Sequence, residues 1–230
     1  MTDAERDALF QNVPNGMLII NTTAKQMQIF FDNVWYPLSM GTGIPALESL
    51  HGTVADIDGN IYNTIKIGEQ WWMPENLKTT HYANGTAIPL VNTNSTWGDL
   101  TATDKAYCWY NDDIANKNTY GALYTWAAAM NDSASSNANT SGVQGVCPSG
   151  WHLPSNAEWE QLENYLSDNG YNYDGTTGGG RAKIAKSMAT NYGWISNSSS
   201  GVVGNSDYPG YRNKSGFSAL PSGTRMFDGF

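Results

Sequence analysis

Ser155 and Glu158 stand three residues apart at the head of an apolar stripe, and this spacing predicts a helix over about 155–168. In such a capping box the serine hydroxyl accepts from the N3 amide while the glutamate reaches back to the N-cap amide. Pro154 and Trp159 take the flanking staple positions, and Trp159, Leu162 and Leu166 form one apolar face. Gly170 supplies the left-handed stop. Few other stretches can be regular for long. The segments 131–146, 170–180 and 196–206 are rich in Ser, Asn, Thr and Gly without periodicity, and they read as surface loops.

The other elements are short. Leu123, Trp126, Ala127 and Met130, spaced by three and four, predict a second helix over about 120–130, and a weaker third runs from about Arg181 to Ala189. Asp58–Gly59 lies between alternating segments and tolerates positive φ, which predicts a hairpin of strands 53–57 and 60–67. Nearer the N-terminus, Thr2 and Glu5 have capping-box spacing for a helix over about 3–9. After Pro14-Asn15-Gly16, the apolar runs Met17–Ile20, Met27–Phe31 and Val34–Leu38 alternate with turn formers, predicting a three-stranded β meander. Some forty residues cannot close a core alone. This module must pack on the main domain or on copies of itself, a route to a homo-oligomer. The expected division is therefore 1–45 for the N-terminal module, 46–53 for a linker and 54–230 for the main domain.

Twelve Lys and Arg against twenty-one Asp and Glu give a formal charge of −9. That field repels phosphate backbones and anionic lipid heads, so nucleic acid and membrane surfaces are poor partners. Charged residues are only 14% of the chain, against roughly 25% in an ordinary globular protein, so solubility rests on neutral polar groups. Such a surface suits an extracellular protein or a virion. No apolar run approaches the roughly 18 residues of a spanning helix, which argues against membrane insertion. The start, MTDAERDALF, lacks the basic, apolar and small-residue pattern of a secretory signal.

Five ordered segments carry a resemblance: DIDGNIYNTIKIGEQWWMPENLK (56–78), YCWYNDD (107–113), YGALYTWAAA (120–129), GVCPSGWHLPSNAEWEQLENYL (145–166) and GFSALPSGTR (216–225). Together they resemble the Fibrobacter succinogenes major paralogous domain, found in secreted and surface proteins of Bacteroidetes and Fibrobacteres. The resemblance implies an α+β, C-type-lectin-like domain related to the formylglycine-generating-enzyme fold, with two helices, few strands and much loop. Family members continue past GFSALPSG to a closing strand that carries a cysteine, so the resemblance implies a domain incomplete at its C-terminal end. The N-terminal segment is similar to short modules of Bacteroidetes surface proteins and phage fibres.

Candidate sites are few. Trp71, Trp72, Trp109, Trp126, Trp151 and Trp159 are expected in the core, where large aromatics dominate packing, whereas Trp97 and Trp194 lie in polar loops and are the ligand-binding candidates. The binding surface is expected on loops 92–105, 131–146 and 196–213. His51, His81 and His152 have no metal-ligand spacing, and His152 is expected to bond backbone ahead of the capped helix. Asp56-Ile57-Asp58-Gly59-Asn60 lacks the acidic pattern of a calcium loop and reads as a hairpin turn. No nucleophile, base and oxyanion donor can be assembled from the motifs, so no catalytic residue, metal or cofactor is expected. Cys108 and Cys147 allow one bridge, which would close a loop of about 40 residues and add about 3–4 kcal/mol. The resemblance supplies the alternative, in which Cys147 pairs with the family's C-terminal cysteine and Cys108 is a buried thiol.

Two functions follow as expectations. The resemblance implies a non-catalytic extracellular or cell-surface recognition and adhesion domain of a Bacteroidetes-type bacterium, with a surface glycan or protein receptor as partner. The signal-free N-terminus and fibre-like module favour the alternative, a structural fibre protein of a phage virion with a receptor-recognising role.

Overall fold

A computed structural model describes residues 16–21, 26–31, 34–38 and 50–226. The chain divides into two compact units, Met1–Ser49 and Leu50–Phe230. In the first, β1 (Leu18–Asn21), β2 (Gln26–Phe31) and β3 (Val34–Leu38) form an antiparallel sheet in the order β1-β2-β3. This is the expected meander. Phe30 faces Trp35 across the β2–β3 pairing, with ring centroids 5.0 Å apart. The predicted helix over 3–9 lies outside the described residues.

The second unit opens with an antiparallel sheet of β4 (His51–Ala55), β5 (Ile61–Ile67) and β6 (Gln70–Trp72), so strand structure begins inside the stretch 46–53 expected to be linker. The hairpin turn closes with Asp56 donating its amide to the Asn60 carbonyl, 3.0 Å. The Asp56 carboxylate accepts from the Asn60 amide, the Asn60 side chain and the Tyr62 hydroxyl at 2.6–2.9 Å. Its oxygens are committed to the turn, as a hairpin reading requires.

The region 120–130 corrects a prediction. The chain forms α1 (Asn94–Gly98), β7 (Tyr107–Trp109), α2 (Lys117–Tyr120), β8 (Ala122–Tyr124) and α3 (Trp126–Met130) in that order. Leu123 pairs with Cys108 in the two-stranded β7–β8 sheet, and Thr125 then caps only five residues of helix by accepting from the Ala128 amide. The apparent helical stripe therefore straddles a strand. Its Trp126 is 69% exposed instead of buried.

α4 (Asn156–Asp168) is the helix that the capping box specifies, and both reciprocal bonds of the box are present. Leu162 and Leu166 are fully buried, worth about 1.5–3 kcal/mol each. They pack in a core with Ile65, Ile67, Trp72 and Ile184, flanked by Trp159, Tyr171, Met188 and Phe217. Gly170 has φ +79°, and the Tyr171 amide reaches back to the Leu166 carbonyl at 3.1 Å in a Schellman closure. The predicted third helix shrinks to α5 (Ala185–Met188) behind a 3-10 turn. Its buried positions include Lys186, whose ammonium donates to the Asn205 and Asp207 carbonyls and the Asp207 carboxylate. A second core of Tyr82, Ile88, Tyr107, Trp109, Ala128 and Val146 underlies the β7–β8 sheet. Short sheets and helices with long connections make this unit α+β.

Candidate functional site

Alternation along β6 sends adjacent tryptophans to opposite sides of the strand. Trp72 is 9% exposed and Trp71 is 43% exposed. Trp72 packs against Trp159 from α4, centroids 4.7 Å apart, and against Phe217 at 5.6 Å, while Trp159 and Phe217 lie 5.7 Å apart. These rings back a cleft of about 660 Å³, to whose lining Trp71 and Trp151 also contribute. The indole N–H of Trp72 is buried with no acceptor among the described residues.

Glu158 ties the walls of this cleft together. One carboxylate oxygen accepts from the Ser155 amide at 2.9 Å and the Ser141 amide at 3.1 Å. The other lies 2.7 Å from His152 Nε2. A single residue thus caps α4, anchors the loop at 139–141 and orients the turn at 150–153. Gln70 adds a cross-tie, donating to the Glu158 carbonyl at 3.0 Å. Burial alone would raise the Glu158 pKa, but the hydrogen bonds from Ser155, His152 and Ser141 outweigh it and hold the acid below its ordinary value. The group is an ionised acceptor at neutral pH, ill suited to donate a proton.

Gly145 places the next part of the wall. It has φ +53°, and a Cβ there would meet the Ala129 carbonyl oxygen at 2.1 Å. That close approach lets Val146 donate to Ala129 at 2.9 Å and sets Cys147 in the cleft lining. Asn139 and Gln161 also line the cleft, joined by a 2.5 Å bond from the Asn139 amide to the Gln161 carbonyl.

Several expectations need correction. His152 bonds the Glu158 carboxylate instead of backbone, because the capping glutamate leaves one oxygen free for the imidazole. Cys108 and Cys147 are both free, buried thiols, so the bridge between them is not formed. Their surroundings differ: Cys108 sits in β7 beside Arg225, and Cys147 lines the cleft. Burial pushes the Cys147 thiol up to about 12. Burial also raises the Cys108 thiol, with the Arg225 guanidinium acting in the opposite sense.

Trp97 and Trp194 are less exposed than their polar surroundings suggest. Trp97 is half-buried under the Arg225 guanidinium, 4.9 Å from the ring centroid, and Arg225 grips Asp112 with both terminal nitrogens. Trp194 is half-buried and donates its indole N–H to Thr190 Oγ1 at 3.2 Å. Neither lines the aromatic cleft; of the three expected binding loops, only 131–146 contributes to it, through Asn139 and Thr140. In this cleft the exposed aromatic that sequence reasoning missed is Trp71, assigned to the core like the equally misjudged Trp126. Two adjacent tryptophans in a strand were the available signal, since period-two geometry sends one to each side.

Among the described residues, no group of three or more His, Cys, Asp or Glu could hold a metal ion, and no helix is long and apolar enough to cross a membrane. A family profile described as the Fibrobacter succinogenes major domain matches residues 65–230, which contain every residue of the cleft. No curated protein and no solved structure matches the chain.

Proposed function

This chain belongs to the Fibrobacter succinogenes major domain family, and we propose that it is an extracellular recognition and adhesion domain that binds neutral glycans in the aromatic cleft without altering them. One observation carries the reading: Trp71, 43% exposed, stands beside a cleft of about 660 Å³ backed by the Trp72–Trp159–Phe217 cluster. The C–H faces of a pyranose ring pack on indole, while amides at the edge bond its hydroxyls. Asn139 and Gln161 supply such amides. The acidic net charge and scarcity of charged residues support a neutral ligand and an extracellular setting.

Binding without turnover is supported by the state of the carboxylates. Glu158 has its acceptors engaged and its pKa lowered, while Glu69 is 87% exposed and lies 3.9 Å from Lys66. Glu158 therefore lacks the raised pKa of a glycosidic general acid, and Glu69 stands in solvent without the apolar enclosure that such an acid needs. A C-type-lectin-like kinship is supported by one long helix on a small antiparallel sheet with extended loops.

The test is a neutral-glycan array probed with the whole chain and with Trp71→Ala. The proposal expects retained hits on neutral oligosaccharides and at least a tenfold loss in the variant, about 1.4 kcal/mol. No glycan bound, or binding that Trp71→Ala leaves unchanged, would refute it.

A further inference from the structure

The molecule has a second cleft, of about 610 Å³, that shares no lining residue with the first and has a different chemistry. Amides and hydroxyls dominate it. Asn118, Thr119 and Asn191 are exposed there, with no side-chain hydrogen bond among the described residues, and Tyr192 offers a ring that is 61% exposed.

Its charge runs against that of the chain. Lys78 and Arg212 both line the cleft, and neither has a carboxylate partner among the described residues. Lys66, Lys105, Lys183, Lys186 and Arg225 each lie within ion-pair range of an acid, while Lys117, Arg181 and Lys214 do not among the described residues but lie outside this cleft. Lys78 rests its ammonium 5.5 Å over the Tyr62 ring, and Arg212 donates to the Asn205 carbonyl. The one carboxylate of the lining, Glu75, is held by the Asn63 amide at 2.9 Å and the Asn63 side chain at 2.6 Å. In a chain of net charge −9, this concave surface carries two cations against one carboxylate, beside an aromatic face and the Asn118 and Asn191 amides.

We propose that this cleft is a second binding site, for the hexuronate units of an acidic glycan. The cations would take the sugar carboxylate, the Asn118 and Asn191 amides its vicinal hydroxyls, and Tyr192 the face of the ring. The volume and amide lining suit a polyhydroxylated ring better than a small inorganic anion. Partial exposure of both cations makes the attraction salt-dependent.

Calorimetric titration of the whole chain with a galacturonate trisaccharide, its methyl ester and inorganic phosphate tests the site. Binding of the trisaccharide is expected, at least tenfold weaker for the ester, at least tenfold weaker in Lys78→Gln, and unchanged in Trp71→Ala. Arg212→Gln should weaken it too, but its bond to Asn205 gives that side chain a structural role, so Lys78→Gln is the deciding variant. Absence of binding, equal affinity for the ester, or insensitivity to Lys78→Gln overturns the proposal. Competition by phosphate at concentrations matching the trisaccharide would make this a general anion site and overturn the sugar assignment. The Trp71→Ala arm separates this site from the aromatic cleft, so either can fail alone.

Discussion

Replacing Glu158 by Ala should be among the most damaging single changes to the aromatic cleft. The side chain is buried and accepts from the Ser155 amide, the Ser141 amide and His152. Hydrogen bonds to a charged partner contribute about 1.5–3 kcal/mol where water is excluded. Only Ser155 is deeply buried; Ser141 and His152 are half-buried and recover part of their loss from solvent. The expected destabilisation of Glu158→Ala is therefore about 3 kcal/mol, including the lost glutamate half of the capping box. Glu158→Gln keeps a carbonyl for the two amides and should cost about 1 kcal/mol. Urea unfolding followed by far-UV circular dichroism measures both. The pH dependence has a definite sign. The Glu158 pKa is lowered in the folded state, so its contribution is present above the ordinary value of 4.5 and is lost as pH falls through the folded value. The gap between wild type and Glu158→Gln should close as the solution is acidified below 4.5. Glu158→Ala within 0.5 kcal/mol of wild type, or Glu158→Gln as damaging as Glu158→Ala, would refute the reasoning, taking about 1 kcal/mol as the smallest meaningful effect.

Thiol titration in denaturant without reductant should find two free thiols per chain, and none that reacts quickly in the native state at pH 8, because both are buried and raised. Gly145→Ala should cost more than about 3 kcal/mol, since both the positive φ and the 2.1 Å approach to Ala129 oppose a side chain; a soluble variant with an unchanged urea midpoint would contradict that placement. Trp126→Ala should change stability by less than about 0.5 kcal/mol, because the ring is 69% exposed, and a loss above about 2 kcal/mol would restore the core assignment.

Local signals survive into this structure where they are complete within a few residues. The capping box at Ser155 and Glu158, the Asp58–Gly59 hairpin and the three-strand meander were all legible because each rests on neighbouring backbone chemistry. The helix expected over 120–130 was not, because spacing alone could not show that Leu123 belongs to a strand paired with Cys108. The same holds for the site. Its residues come from β6, the loop at 139–140, the turn before α4, α4 itself and Phe217, which only tertiary packing gathers. Exposure misled in both directions: Trp97 sits in a polar stretch yet is covered by Arg225, 128 positions along the chain, while Trp71 sits in an apolar one yet faces solvent. Lys186 shows how little residue type says about depth, since three acceptors from one distant loop hold its ammonium inside.

The most direct measurement of the central claim is a heteronuclear NMR titration following the nine tryptophan indole N–H signals as a neutral oligosaccharide is added. Binding in the aromatic cleft predicts shifts for Trp71, Trp72, Trp151 and Trp159, and unmoved signals for Trp97, Trp126 and Trp194. Shifts confined to Trp97 or Trp194, or no shift at any tryptophan at saturating glycan, would contradict it.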